Sequence, residues 1–585
     1  MVEEVLPTAD DLTPGAGAPP GANAELPPSG QPPTGADPRD ADTREAFVRN
    51  TAVMSVGTGL SRITGFVRLA ALTYALGATR LSDTYNVANV TPNILYELAL
   101  GGILSSIFVP LFVDWMKTNG RDEAWRVAQR ILTLTCVVLG GVALAGAIAA
   151  PWIIRIYLSG STAPPAVHAA QVVVGTFFLR WFMPQIVFYG IGAIANGMLN
   201  ANRRFAITMF APILNNLIVT ATFLVYAAMR GAGGASIATI TGAQQLVLAA
   251  GTTLGVVGMT VALWPSLRAV GFRWAWRFDW NHEAVRKLGR LAGWVIVYVV
   301  ANQVAYLVVI VLAGRIEGGQ SVYQYAFMLF QLPHSIAAVS IFTALLPAMA
   351  GRWVDRDLDG FRARLSQGVR STAFLMLPAA AAYIVLAVPI TRLLLQRGET
   401  SAADAVLIAQ TLQMFAIGLV FFSLFQLLSR AFYSMQDTRT PALVNIAAAA
   451  VNIGVDVWFV VGLGAGVRGL ALGHALSYVF SSLVCVWLLR RRLGGLDGAR
   501  IARTLAKVLV AAAVTAAAAW GMSTLMGHID PVAADATGAA ALLGRALQVG
   551  AGVAAGLLVF VISALTLRIE EADVVRDALT RRFAR

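Results

Sequence analysis

The feature that most constrains this chain is a succession of apolar segments long enough to cross a lipid bilayer. The chain has 585 residues, of which 57% are hydrophobic and 13% charged, with a mean hydropathy of +0.69. About 14 of its apolar runs reach the ~20 residues that a transmembrane helix needs. Since backbone polar groups in hydrocarbon must be satisfied within the segment, these runs predict helices. We therefore expect an all-α, polytopic membrane protein with about 14 transmembrane helices.

Positive charge divides the connecting loops into two alternating sets. The net charge is +13, and we attribute it to the membrane rather than to a nucleic-acid partner, because the cations lie in short loops between apolar runs. By the positive-inside rule, the cation-rich loops and both termini face the cytoplasm. These loops hold Lys117, Arg121 and Arg126; Arg203 and Arg204; Arg268, Arg273 and Arg277; Arg352 and Arg356; and Arg490, Arg491 and Arg492.

An internal repeat suggests how the helices are grouped. Residues 82–92 resemble residues 321–333, and each segment follows a long apolar run and a short turn. Repeats of this kind place a transporter's substrate site between two halves of the molecule. We predict two pseudo-symmetric six-helix lobes plus a C-terminal helix pair. The predicted order is a disordered cytoplasmic tail (1–45), an N-lobe with helices 1–6 (46–270), a C-lobe with helices 7–12 (271–495), helices 13 and 14 (496–570) and a second cytoplasmic tail (571–585).

Two arginines, Arg62 and Arg68, lie inside the first apolar run. A guanidinium at the centre of a bilayer costs at least ~2.5–3.5 kcal/mol, so it normally faces a bundle interior or a wet cavity. Six residues separate the two side chains by roughly 9 Å along a helix and about 120° around it. We favour an anion-binding cavity over the alternative, in which both arginines pair with carboxylates in a static bundle.

Two further groups of polar residues are candidates for function. Helix 2 carries a polar stripe that must avoid lipid and either lines a cavity or bonds to neighbouring helices; with the acid before it, the group comprises Asp83, Asn86, Asn89, Asn93 and Glu97. In the second half, Asn452 and Asp456 fall on one helix face, and His474 lies in the next run. From the residues alone, this second group is a proton-sensitive Asp–His pair or a neutral polar network.

Several of these residues fall in motifs that resemble a known family. The segment Ser61-Arg62-Ile63-Thr64-Gly65-Phe66-Val67-Arg68 resembles the SRxxGFxR signature of the MurJ/MviN lipid II flippases, members of the multidrug/oligosaccharidyl-lipid/polysaccharide exporter superfamily. The resemblance spans roughly residues 47–570. It continues through Ser82-Asp83-Thr84-Tyr85, Thr91-Pro92-Asn93, Ala211-Pro212, Asn215-Asn216, Leu332-Pro333 and Gln436-Asp437.

The resemblance implies a bacterial plasma-membrane flippase that moves lipid II, an undecaprenyl-diphosphate-linked precursor, to the outer leaflet by alternating access. It implies substrate binding at Arg62, Arg68 and Asp83, beside the helix 2 stripe that the spacing predicts, together with a sodium site at Asn452 and Asp456 and a polyprenyl groove in the last helix pair. This chain departs from the family's arginines at Tyr96-Glu97 and Met328, from a glutamate at Gly101, and from the expected sodium ligands at Asn302 or Gln303 and at His474.

Other functions remain to be weighed against this one. An exporter of a drug or of another polyprenyl-linked saccharide would use the same fold. A membrane glycosyltransferase would need positioned carboxylates and a larger outer loop. A scaffold for division proteins would not explain why Arg62 and Arg68 lie within an apolar run. We expect no enzymatic activity and no cofactor beyond a coupling cation, sodium or a proton. The expected partners are lipid II, membrane lipids and proteins of cell-wall synthesis or division.

Overall fold

A computed structural model describes most of the chain. Residues Val53–Arg585 form one compact unit and Met1–Ala52 another. Side chains are described from residue 56 onward. The described residues are 38–96, 112, 115–116, 118–202, 204–231, 234–279, 299–529, 531–533, 535–536 and 538–572.

The described residues are arranged as helices joined by short turns. The first half contains α1 (Pro38–Leu76), α2 (Arg80–Tyr96), α3 (Arg121–Tyr157), α4 (Pro165–Phe182), α5 (Gln185–Ala201), α6 (Phe205–Arg230), α7 (Gly242–Val261) and α8 (Trp264–Ala269). The second half begins with α9 (Val299–Ala313). It continues with α10 (Gly319–Pro333), α11 (Val339–Val354), α12 (Leu358–Leu395), α13 (Ala402–Ser434), α14 (Arg439–Val457), α15 (Gly466–Arg492), α16 (Gly498–Ile529) and α17 (Ala539–Thr566).

The helices confirm the predicted fold class. Eleven of the described segments are long and apolar enough to cross a membrane. The remaining predicted runs correspond to α1, α2 and the shorter apolar helix α9. The described ranges contain no β-strand. The protein is therefore an all-α, polytopic membrane protein.

Contacts between helices fall into groups. Helices α2 to α7 pack against one another, and so do α10 to α15. Helix α2 also contacts α10, and these two helices carry the segments that resemble each other in sequence. The last two helices pair with each other and lie against α12. The two-lobe division with an appended pair remains a prediction, and this packing is compatible with it.

One boundary differs from expectation. Helix α1 begins at Pro38, so residues 38–45, assigned from the sequence to a disordered tail, are helical. Proline is favourable at the first position of a helix, because its φ angle is already helical and its missing N–H would have no partner there. The rest of that tail, residues 1–37, lies outside the described residues, as does most of the second tail, 571–585.

A cluster of charges fixes the end of the helix pair to α12. Arg370 of α12 is buried and forms ion pairs with Glu571 (2.6 Å) and Glu570 (2.8 Å), just beyond α17. Arg500, at the start of α16, also binds Glu570 (2.5 Å). The hydrogen bond from Arg500, together with Arg370, lowers the pKa of the Glu570 carboxyl, so this pairing persists until the pH falls through that lowered pKa.

Candidate functional site

The first helix carries the two predicted anion-binding arginines where it lies against α6. Asn216 of α6 donates hydrogen bonds from Nδ2 to the backbone oxygen of Ser61 (3.2 Å) and to Oγ1 of Thr64 (3.1 Å). An amide that bonds to a neighbouring helix fixes the position of both helices within a membrane bundle. The segment containing Arg62 and Arg68 is therefore held in register with α6.

Arg62 and Arg68 line one cavity of about 460 Å³ between α1, α6 and α10. Arg62 is exposed within it and Arg68 is half-buried. No acidic side chain is among the described residues that line this arginine cavity. One guanidinium can donate two parallel hydrogen bonds to a pair of phosphate oxygens. Neutral hydrogen-bond donors can complete the coordination of such an anion. The neutral polar groups here belong to Thr58, Ser61, Thr208, Asn216, Gln331 and Ser335.

A smaller cavity of about 150 Å³, the asparagine cavity, adjoins the first. Asn86, Asn89 and Asn93 of α2 line it together with Arg68. The structure thus turns these three amides to one side of α2, as their spacing predicts. The arginine and asparagine cavities share Arg68, Leu69 and Met328, so Arg68 borders both of them. Glu97, the last member of the predicted stripe, lies outside the described residues.

A third cavity, about 440 Å³, is bordered by α2, α9, α10, α14 and α15, and we call it the amide cavity. Asn452 and His474 line it. Asn452 donates from Nδ2 to Oδ2 of the buried Asp456 (3.0 Å), whose Oδ1 has no hydrogen-bond partner among the described residues. His474 instead packs its ring against Phe327 and Tyr478, with centroids 5.3 and 4.9 Å apart. Asn452 and Asp456 thus meet on one face of α14, the face that their spacing predicts, and the ring of His474 is held by aromatic packing.

Met328 of α10 borders all three cavities. This is the position where the family resemblance leads us to expect an arginine. A thioether is apolar and flexible and contributes no positive charge. The cations that line the three cavities within the described part of the chain are therefore Arg62 and Arg68 of α1.

Asp83 is not among the described residues that line these cavities, and its contacts join the two halves of the molecule. Its Oδ1 accepts hydrogen bonds from the backbone N–H (2.9 Å) and the hydroxyl (2.8 Å) of Ser321 in α10. Ser82 and Ser321 bring their hydroxyls within 2.9 Å, and the Tyr325 hydroxyl bonds to Ser82 at 2.7 Å and to the Gly77 carbonyl at 3.0 Å. These buried polar contacts form what we call the outer seal, because the positive-inside rule predicts that this end of the bundle faces outward.

The outer seal continues around the same end of the bundle. Thr400 donates from its hydroxyl to the backbone oxygen of Thr73 (2.9 Å). Glu399 pairs with Arg230 at the end of α6 and accepts a hydrogen bond from the backbone N–H of Ala235 (2.8 Å). The α1–α2 turn and the end of α6 are thus tied to the segments that begin α10 and α13. The two halves are closed against each other at this end.

Sequence reasoning assigned no functional role to Ser321, Tyr325, Gln324 or Asn445. The first two complete the outer seal, and the last two line the amide cavity. A signal for Asn445 existed, because it precedes Asn452 by two helical turns on an apolar helix and so shares its face. The partnership of Ser321 with Asp83 had no such signal, since it depends on which helices meet.

Comparisons with known proteins agree with one another. A family model described as "Lipid II flippase MurJ" matches residues 72–531. The chain is 28% identical over 523 residues to the "Probable lipid II flippase MurJ" of Rhizobium meliloti (strain 1021), covering 89% of this chain and 94% of that protein. It is 29% identical over 443 residues to the "Lipid II flippase MurJ" of Burkholderia cenocepacia, covering 74% and 82% respectively.

Two solved structures show the shared fold. One is "Lipid II flippase MurJ, inward closed conformation", with a TM-score of 0.68 and 20% identity, covering 88% of this chain and 99% of that chain. The other is an inward-facing multidrug resistance MATE family transporter of the MOP superfamily, with a TM-score of 0.61 and 15% identity, covering 74% and 94%.

Proposed function

Because the chain belongs to the lipid II flippase MurJ family, we propose that it holds the diphosphate of lipid II at Arg62 and Arg68 while moving the lipid from the inner to the outer leaflet by alternating access. The observation that carries this proposal is the arginine cavity. It places two guanidiniums between the two halves of the molecule, with no acid among its described lining residues. A cavity of this kind replaces the water around a diphosphate while the lipid crosses the hydrocarbon.

The family membership confirms the expected class of activity. The protein is a lipid II flippase, a transporter rather than an enzyme, and a multi-pass protein of the bacterial plasma membrane. The alternative, export of a drug or of another polyprenyl-linked saccharide, shares the fold, as the likeness to a MATE transporter illustrates. The two arginines favour an anionic substrate over a cationic drug, because a cation entering the arginine cavity would meet like charge.

Depleting the protein from cells tests the proposed function. We expect lipid II that is accessible to a membrane-impermeant reagent to fall to near background after depletion, while total lipid II rises because the precursor accumulates inside. Expression of the intact chain should restore the accessible fraction. An unchanged accessible fraction, in cells shown to lack the protein, would rule out transport of lipid II by this chain.

We further propose that a monovalent cation, sodium or a proton, drives transport through Asp456. The proposal is supported by a buried carboxylate that touches Asn452 and keeps one oxygen without a partner among the described residues. In proteoliposomes, Asp456→Asn should remove the dependence of transport on an imposed sodium or pH gradient, because the amide neither binds sodium as strongly nor titrates. Asp404→Asn, at the start of α13, is the matched control. Gradient dependence that survives Asp456→Asn would contradict the proposal.

A further inference from the structure

A fourth cavity, which we call the rim cavity, lies at the end of the bundle that carries the outer seal. Its volume is about 320 Å³. Its walls come from the end of α12, the start of α17 and Tyr74 of α1. Within the described part of the chain, no residue that lines it also lines the arginine, asparagine or amide cavity. The rim cavity is therefore separate from the site proposed for the diphosphate.

Three arginines bring positive charge to the rim cavity. Arg397, which is exposed, and Arg545, which is only 6% exposed, both line it. The charges of Arg392 and Arg397 repel that of Arg545. By the positive-inside rule, cations are scarce in the outer loops of a membrane protein, so such a group is unusual at this end. An anion bound among the three guanidiniums would offset their mutual repulsion.

The acidic groups nearby leave this positive charge in place. None of the described residues that line the rim cavity is Asp or Glu. Glu399 follows a lining residue in the chain, but its carboxylate pairs with Arg230 in the outer seal. Asp535, on the loop before α17, is exposed to solvent and is not a lining residue. The potential within the rim cavity is therefore positive.

The start of α17 adds a second source of positive potential. The helix begins at Ala539 with Gly538 as its N-cap, and both residues line the rim cavity. The first N–H groups of a helix have no partner within the helix, and glycine has no side chain that could cap them. Such an N-terminus attracts anions. Arg545 also holds the preceding loop in place, because it donates to the backbone oxygen of Ala536 (2.9 Å).

The rest of the rim cavity is apolar and continues into the lipid-facing surface of α17. Leu393 and Leu542 line the cavity beside the arginines. Along the same helix, the side chains of Leu543 and Leu547 are exposed. A ligand in the cavity therefore meets guanidiniums on one side and hydrocarbon on the other. This combination fits a lipid with an anionic head group, since basic pockets between membrane helices bind such head groups, better than it fits a free anion.

We propose that the rim cavity binds the phosphate group of a negatively charged lipid in the outer leaflet. Arg397 and Arg545 donate to the phosphate oxygens, and the hydrocarbon chain lies against the exposed leucines of α17. The proposal does not depend on transport of lipid II, because the lipid is a bound component here and not the cargo. Tyr74 belongs to the first half of the molecule and both arginines to the second. A lipid in the rim cavity therefore contacts both halves beside the outer seal.

A dye attached beside the rim cavity tests this proposal on the purified full chain in detergent. In a chain with Cys136→Ala and Cys485→Ala, the exposed position Leu543→Cys carries an environment-sensitive dye. Titration with phosphatidylglycerol should give a saturable change in its fluorescence. The same dye on Leu558→Cys, an exposed position nearer the other end of α17, should not respond, because it lies far from the rim cavity along the helix.

Charge-removing variants assign the response to the arginines. Arg397→Gln and Arg545→Gln should each weaken phosphatidylglycerol binding on the order of tenfold, because each removes a donor to the phosphate. Arg315→Gln, an exposed arginine in the turn before α10, removes the same charge outside the rim cavity and should leave the affinity unchanged. Since Arg545 is buried and its loss can disturb folding, the exposed Arg397 provides a test that does not depend on the stability of the core.

Other results would overturn the proposal. An equal response to phosphatidylcholine, which has no net charge, would show that the arginines do not select an anionic head group. Saturation by inorganic phosphate at the same concentration as phosphatidylglycerol would show that the rim cavity takes a free anion and not a lipid. An affinity for phosphatidylglycerol that survives both Arg397→Gln and Arg545→Gln, or the absence of any response at Leu543→Cys, would place the lipid elsewhere. Each of these outcomes leaves the proposed transport of lipid II untouched.

Discussion

Arg68→Ala is expected to abolish lipid II transport while the protein still inserts into the membrane. The guanidinium lines both the arginine and the asparagine cavities, so its loss removes a bidentate partner for the diphosphate. We expect the affinity for undecaprenyl diphosphate to fall on the order of tenfold or more. A strain depleted of its own flippase should not grow when this variant is the flippase that it expresses. Arg68→Lys should rescue only partly, because an ammonium lacks the planar fork.

Arg180→Ala provides the matched control. Arg180 is an exposed arginine of α4 that donates to the backbone oxygen of Ala147 (3.3 Å) and is not among the described residues lining the arginine cavity. Its loss should leave both growth and ligand binding intact, with similar amounts of protein in the membrane. Normal growth on Arg68→Ala would overturn the assignment of this side chain to the diphosphate.

Linking the outer seal covalently should stop transport completely. The hydroxyls of Ser82 and Ser321 lie 2.9 Å apart, on opposite halves of the molecule. In a chain with Cys136→Ala and Cys485→Ala, the pair Ser82→Cys and Ser321→Cys should cross-link on oxidation and hold the outer end closed. Because alternating access requires this end to open, lipid II should no longer reach the outer leaflet. Reduction should restore transport.

The single-cysteine chains define the background for that experiment. Each should transport equally well before and after oxidation, since it has no partner to bond. Cross-linking can be scored separately by the mobility of the protein on a gel. A fully cross-linked double variant that still transports at the normal rate would show that the outer seal does not open during the cycle.

The sequence was sufficient to predict the helices and to predict that Arg62 and Arg68 face a cavity. Apolar runs of bilayer length leave the chain few alternatives to helix, and a guanidinium within such a run must face protein or water. The same logic placed Asn86, Asn89 and Asn93 on one face of α2. These predictions depend on local sequence and on the solvent, and both can be read along the chain.

Partners distant in sequence could not be predicted in this way. Asp83 was expected beside the substrate, and nothing in its sequence pointed to the hydrogen bonds that its carboxylate accepts from Ser321 across the interface. His474 was considered as a partner of Asp456 and instead packs among aromatic rings. In each case the sequence gives the position of a side chain on its own helix. The neighbour that it meets depends on how the helices assemble, which single-chain periodicity does not encode.

The polar character of the outer seal has an energetic consequence. Its described contacts are hydrogen bonds among hydroxyls, a carboxylate and backbone groups, together with the Arg230–Glu399 ion pair. Each hydrogen bond broken on opening can be replaced by one to water, so its net loss is only ~0.5–1.5 kcal/mol. If the contacts were apolar, exposing them to water would instead cost a free energy of ~25 cal/mol per Å² of exposed surface. The free-energy cost of separating the two halves at these contacts thus depends on how well water replaces each hydrogen bond.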